Sequence, residues 1–259
     1  MSAAPVARAQ QQSHSGPSKY IYLSTMSVKP GSMAQFSKLE QERIAALREA
    51  KAPGHFFTME QITGTGMLVS IREFDSFADL QKGHDERVSN TQLMTKLDAN
   101  SAAMGALVRE SHDSIYVFRK DLSLHSDQSL DDMRFMRISV VEVKPGHTAD
   151  LENIAKAEMK AHGSNADMHW AVFEKIYGQG SGRVFLIATP MKSLADVDTM
   201  IANRHKTREM VGEGLAHLVM SAEAKSTSMS ETDLFAFTPK MSYVSDELMK
   251  ASPDFWGKQ

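Results

Sequence analysis

The sequence predicts an α+β fold of two β-α-β-β-α-β units, and three observations predict it. Tyr20 to Gly31, YIYLSTMSVKPG, is echoed by Phe135 to Gly146, FMRISVVEVKPG, each an apolar-rich strand that ends in Val-Lys-Pro-Gly before a helix pattern. Ser76-Phe77-Ala78-Asp79, a helix-opening capping box, recurs as Ser193-Leu194-Ala195-Asp196. Ile115-Tyr116-Val117-Phe118 recurs as Leu234-Phe235-Ala236-Phe237. Self-similarity of this kind fixes architecture before any local motif is judged.

Each element follows from local pattern. Tyr20 to Val28 reads as a strand, broken by Pro30-Gly31, and Ser32 is placed to cap a helix from Met33 to about Ala50. Phe36, Leu39, Ile44 and Leu47 give that helix one apolar face. His55 to Thr63 and Met67 to Phe74 form a hairpin around Gly64-Thr65-Gly66. The capping box opens a helix that breaks at Gly83 and resumes from about Asp85 to Val108, and Ser114 to Arg119 is the fourth strand. A shift of 115 carries the first helix face onto Leu151, Ile154, Met159 and His162, and a shift of 114 carries His55, Glu60 and Ile62 onto His169, Glu174 and Ile176. The longer turn Gly178 to Gly182 raises the shift to 117, which lays Arg87 on Arg204.

The chain therefore divides into a disordered tail at 1–18, a first unit at 19–120, a linker at 121–132, a second unit at 133–240 and a C-terminal tail at 241–259. Phe255 and Trp256 are expected to pack back onto a unit. The tail at 1–18 has two readings: a native polar tail, with the protein cytoplasmic, or the stub of an export signal, with the protein periplasmic or secreted. Ala7-Arg8-Ala9 has the small-x-small pattern of a cleavage site, yet no apolar core of roughly 7 to 15 residues precedes it.

Composition excludes several classes. The 259 residues contain no cysteine, which rules out disulfides, thiolate catalysis and Cys-ligated metals. A formal charge of −3 without any basic run leaves no electrostatic footprint for nucleic acid. No apolar stretch approaches the roughly 20 residues that span a bilayer. Nucleophile elbows, P-loops, dinucleotide fingerprints and His-x-His or His-Glu-x-x-His spacings are absent.

Two such units, each with a strand ending in Val-Lys-Pro-Gly before its first helix, resemble the dimeric α/β-barrel superfamily of ferredoxin-like folds. That group includes antibiotic-biosynthesis monooxygenases, EthD-like and NIPSNAP-like proteins, haem-degrading enzymes and chlorite dismutases, and the resemblance covers roughly residues 19 to 240. It implies two four-stranded sheets that face each other around a pocket with helices outside, here an intramolecular pseudo-dimer; two chains associating further as a homodimer is the alternative. The physics agrees, because a sheet covered by helices on one face still needs a partner on the other.

Strand alternation then sorts the side chains. Ile21 and Leu23, with Met136 and Ile138, suit the helix side, so Tyr22, Ser24, Met26, Arg137, Ser139 and Val141 are expected to face the barrel. The hairpins add Thr58, Glu60, Ser70 and Arg72 in one unit and Trp170, Val172, Glu174, Phe185 and Ile187 in the other, and the fourth strands add Tyr116, Phe118, Phe235 and Phe237. Glu60 and Glu174 become the candidate catalytic pair, since a carboxylate among apolar groups can serve as a general base. Their other reading is a solvated rim carboxylate or a structural Glu–Arg pair. Tyr22, Ser24, Arg72, Tyr116, Arg137, Ser139, Trp170, Phe185 and Phe235 are the candidate ligand contacts. Every one of these orientations reverses if the register slips by one residue.

The expected function is binding of a small apolar or aromatic molecule between the sheets, without metal or nucleotide. The resemblance suggests cofactor-free oxygenation or isomerisation; the alternatives are a non-catalytic ligand-binding or stress-associated module, and a haem protein of the same fold. His84 and His205 lie on or near the helix that carries the iron-ligating His in haem-degrading relatives, but at non-equivalent positions, and the Asn and Trp that accompany it there have no match. His55 and His169, equivalent at strand starts, read as loop-end or capping residues. The eighteen methionines and twelve phenylalanines read mainly as packing, although Met26, Phe118, Phe185 and Phe235 fall on the expected cavity face.

Overall fold

The strands of a computed structural model, which describes residues 16–180, 182–203, 221 and 224–257, close into one antiparallel eight-stranded barrel. The first half contributes β1 (Tyr20–Val28), α1 (Met33–Glu49), β2 (Phe57–Gln61), β3 (Leu68–Phe74), α2 (Phe77–Ser89), α3 (Thr91–Gly105) and β4 (Val108–Phe118). The second contributes β5 (Phe135–Val143), α4 (Thr148–His162), β6 (Ala171–Gly178), β7 (Arg183–Met191) and β8 (Thr227–Phe237), with residues 195–203 helical after β7. Around the barrel the order is β1-β3-β2-β8-β5-β7-β6-β4. Each half is thus a four-stranded sheet of the same order, and two equivalent seams, β2 with β8 and β4 with β6, join them. An aromatic pair sits on each seam, Phe57 with Phe237 and Phe118 with Phe173, both 5.4 Å between centroids. No described helix is long and apolar enough to cross a membrane.

The repeated Val-Lys-Pro-Gly has a structural job in both halves. Lys29 Nζ donates to Ala106 O at 2.7 Å, and Lys144 Nζ donates to Ala224 O at 3.1 Å and Lys225 O at 3.2 Å. Each lysine places its cation on the last carbonyls of the helical segment before the fourth strand, where the helix dipole is negative.

Boundaries differ from expectation in three places. The helix break falls at Asn90, whose Oδ1 accepts from Leu93 N at 3.0 Å, and Gly83 continues inside α2. A side-chain cap starts the next helix there, and a lone glycine does not supply one. β4 begins at Val108 instead of Ser114, because β1 takes a partner along its whole length, down to Val28 opposite Val108. Ser32 occupies the N-cap of α1 but makes no side-chain cap bond. Ser76 does cap as expected: its Oγ accepts from Asp79 N at 3.0 Å and donates to Asp79 Oδ2 at 2.5 Å.

The barrel interior is a packed apolar core. Ile21 and Leu23, Phe57 and Met59, Val69 and Ile71, Tyr116, Met136 and Ile138, Ala171 and Phe173, Leu186 and Ala188, and Phe235 and Phe237 form one buried cluster drawn from all eight strands. Trp256, 0% exposed, joins that core edge-on to Phe237 at 5.6 Å, carried there by two short helices, Asp246–Ala251 and Pro253–Trp256. Arg134 steadies this end, its guanidinium 4.1 Å from the Phe255 centroid and its Nη2 donating to Ser252 Oγ at 3.0 Å.

This corrects the expected assignment of faces. Residues grouped by alternation within one strand do share a face, but Ile21, Leu23, Met136 and Ile138 point into the barrel. Tyr22, Ser24, Arg72, Arg137, Ser139, Trp170, Phe185, Glu60 and Glu174 therefore lie on the outward faces, opposite in parity to the core residues. The closed interior is the driest place in this fold, so it takes the most apolar alternate set. Tyr116 and Phe235 do face inward, as read from the sequence, but as part of a filled core.

Candidate functional site

A large cavity lies outside the barrel, between the outward face of the first sheet and α1, α2 and α3. Its volume is about 1130 Å³. The floor is Tyr22, Ser24 and Met26 of β1 with Ser70 and Arg72 of β3; Tyr22 is the cross-strand neighbour of Arg72, and Ser24 of Ser70. The roof comes from Phe36, Glu40 and Arg43 of α1, from Phe77, Leu80, His84 and Arg87 of α2, and from Met104 of α3. Those α2 positions, spaced three and four residues apart, form the stripe that faces the sheet. A histidine and an arginine in that stripe, where an amphipathic helix would carry apolar residues, are the signal in the sequence for this site.

The polar groups are arranged by their neighbours. Asp113 of β4 lies across from Ser24, accepts a short hydrogen bond from its hydroxyl and bonds Tyr22 as well. Burial, and then the Asp113 carboxylate, push the Tyr22 phenol up to about 12, so it keeps its proton and acts as a donor. The Arg72 guanidinium occupies a slot that two glycines leave open: a Cβ on Gly54 would lie 2.5 Å from Arg72 Cζ, and one on Gly83 would lie 3.2 Å from Arg72 Nη2. This accounts for a buried glycine inside α2, which costs the helix about 1 kcal/mol. Burial, and then the nearby Arg87 charge, bring Arg72 down to about 10, and burial lowers Arg87 too. Arg43 differs, since both its Nε, at 2.9 Å, and its Nη2 bond the Glu40 carboxylate.

Of the residues singled out from sequence, the structure gathers Tyr22, Ser24, Met26, Ser70 and Arg72 into this cavity, by a face opposite to the one expected, and His84 from α2. It does not gather the rest. Glu60 and Glu174 keep equivalent places, opposite Ala236 of β8 and Val117 of β4, on strands at opposite sides of the barrel. They share no chamber. Glu60 is exposed, while Glu174 accepts from Arg119 Nη1 at 2.6 Å and from Arg183 Nη1 at 2.9 Å. Arg119 also bonds Asp121 and Glu152, each at 2.8 Å, so Glu174 belongs to an ion-pair network. Ser139 Oγ is 2.8 Å from Thr232 Oγ1, and Arg137 lies beside it on the outward face of β5. Phe185 and Trp170 pack in a separate apolar cluster with Val172, and Trp170 Nε1 donates to Leu122 O at 3.0 Å. Gly54, Gly83 and Asp113 complete the site without any local sequence signal that marks them as site residues, and Arg87 is marked only by its place in the α2 stripe.

His55 and His169 take structural places. His169 Nε2 bonds Pro190 O at 2.7 Å, and His55 lies tilted against Tyr243 with ring centroids 4.8 Å apart. His205 and Arg204 lie outside the described residues. Among the described residues no group of three His, Asp or Glu is set to hold a metal ion. A haem fits the cavity residues poorly: among the described residues the histidine lining it, His84, is exposed, and the wall beneath carries hydroxyls and a guanidinium instead of forming a flat apolar slot.

Strand order, closure and helix placement are those of the dimeric α/β barrel, and the chain has that fold. Solved structures of the same fold include an anthrone oxidase-like protein (TM-score 0.57, 10% identity, 87% of this chain and 93% of the other). A monooxygenase candidate from Lactobacillus acidophilus matches with a TM-score of 0.53 at 9% identity over 84% of this chain and 93% of its own. A candidate chlorite dismutase matches with a TM-score of 0.50 at 15% identity over 86% and 96%. No known family profile matches the sequence, and neither does any curated protein.

Proposed function

We propose that this protein is an oxygenase-like binder of a small, partly aromatic molecule, held under α1–α3 against the first sheet and not between the two sheets. The observation that carries the reading is the contrast between a filled barrel and an outer cavity that combines Phe36, Phe77 and Met104 with Tyr22, Ser24 and Arg72. A ligand pocket is mostly apolar with a few convergent polar groups, and this cavity has that make-up. Two of the neighbours named above carry oxygenase or oxidase descriptions, which supports an oxygenase-like reading of this cavity. For a substrate of that kind, Arg72 and Arg87 supply positive charge near a developing carbanion or enolate.

One observation favours a purely binding role as the second reading. The carboxylates that line or border the cavity are engaged: Glu40 by Arg43, Glu110 by His112 at 2.7 Å, and Asp113 by Tyr22 and Ser24. None is poised as a free base.

The test uses N-phenyl-1-naphthylamine, a neutral aromatic probe whose fluorescence rises on binding. The wild type should bind it, and Ser70→Trp, which fills the cavity floor, should abolish binding while the fold is retained by circular dichroism. Equal binding by both proteins would refute the location. Oxygen uptake with anthrone then separates the two readings: consumption above the buffer rate supports catalysis, and none supports binding. Added haemin should give no protein-dependent Soret shift; a shift lost in His84→Ala would replace this reading with the haem one.

A further inference from the structure

We infer that the ligand of this cavity is an anion, with its acidic group seated between Arg72 and Arg87; this rests on the cavity being the binding site. Two half-buried guanidiniums, one from β3 and one from α2, line the same space, and neither has a carboxylate within ion-pair distance among the described residues. Every other arginine near the site is accounted for differently. Arg43 is held by Glu40, Arg48 lies over Tyr243 at 5.4 Å, and Arg109 is exposed.

Taking a cation from water without a counter-ion is costly, and proteins keep such groups where a ligand supplies the charge. Here the cost is compounded, because each guanidinium lies within reach of another positive charge: Arg87 acts on Arg72, and Arg43 acts on Arg87. The seat is also built for the side chain. Gly54 and Gly83 leave the slot that Arg72 fills, so the guanidinium lies close against backbone on two sides. A planar fork held in that way matches a carboxylate or a phosphate oxygen pair. Tyr22, the cross-strand neighbour of Arg72, keeps its proton and directs it to Asp113 in a hydrogen bond, so it adds no negative charge of its own beside the pair. The aromatic and methionine walls around the pair set the remainder of the ligand as apolar.

The test compares two probes with one aromatic skeleton, 8-anilinonaphthalene-1-sulfonate and neutral N-phenyl-1-naphthylamine. Wild-type protein should bind the sulfonate about tenfold more tightly, the worth of one charge-assisted contact. Arg72→Met and Arg87→Met should each remove that preference and leave the neutral probe within about twofold of its wild-type affinity. Arg72→Lys should retain part of the preference, and Arg72→Met should melt no lower than wild type, since the cation it removes lacks a partner. Displacement by benzoate or by phenyl phosphate identifies the acidic group; displacement by neither overturns the inference. Equal affinity for the two probes in wild type also overturns it while leaving the cavity as the binding site. Probe binding unaffected by Ser70→Trp would instead remove the site itself. If a methionine variant does not fold, Arg72→Gln and Arg87→Gln give the same comparison.

Discussion

The inside of the barrel and the space beneath α1–α3 are made by alternate residues of the same strands, yet they are opposites. Along β1, Ile21 and Leu23 enter the core and Tyr22 and Ser24 face the helices. Along β3, Val69 and Ile71 go in, and Ser70 and Arg72 go out. The interior is apolar and filled by Phe235, Phe237, Met59 and Trp256; the outer space is large and carries arginines, hydroxyls and a phenol. A closed barrel must satisfy every inward position with packing. Helices laid across a sheet can stand off from it and leave room, and that is where polar chemistry is tolerated.

The largest expected effect breaks the interior alone. Trp256→Ala should cost about 3–5 kcal/mol, as large-to-small core changes do, and should lower the melting temperature strongly. Probe affinity in the surviving folded fraction should be unchanged, because Trp256 does not line the outer cavity. A loss of affinity larger than the loss of folded protein would join the two regions and contradict the contrast.

Next in size is the acidic pair. Glu174→Gln should cost about 1–3 kcal/mol in chemical denaturation, since it weakens two charge-assisted bonds, one to the shielded Arg119 and one to the exposed Arg183. Glu60→Gln, on an exposed carboxylate, should stay within about 0.5 kcal/mol. Neither change should alter ligand binding. Equal costs for the two would mean that the half-to-half difference in their surroundings is wrong.

A finer test sharpens the electrostatics of the cavity. Followed by phenolate absorbance, Tyr22 should titrate near 12, so the late phase should shrink in Tyr22→Phe. Asp113→Asn should move that phase down but not to the ordinary value, because burial is the larger cause and remains. The sign follows: a phenol raised in the folded state contributes stability that is complete below about pH 10 and is lost as pH rises through about 12. Tyr22→Phe should therefore make alkaline unfolding less steep over that window.

The strands, their order and their punctuation were legible in the residues, because the Val-Lys-Pro-Gly ends, the capping boxes and the two-residue alternation are local signals. Which face turns inward was not. Ile21 and Leu23 are apolar enough for either a helix-covered face or a barrel core, and alternation says only that they are together. Closure of the sheet decides the matter, and closure depends on the seams β2–β8 and β4–β6, whose partners are more than a hundred residues apart in one case. The polar start of β4, Arg109 to Asp113, carries no strand pattern for the same reason: its place comes from β1 alongside it. Tyr22, Ser24 and Arg72 could be grouped from sequence because they share parity, whereas Arg87 needed the docking of α2 over β3.

The most direct measurement is a crystal structure of the protein with 8-anilinonaphthalene-1-sulfonate bound. The account places its density beneath α2 and α3, with the sulfonate against Arg72 and Arg87 and the barrel core unchanged around Trp256. Density between the sheets, among Phe235, Phe237 and Tyr116, would contradict it.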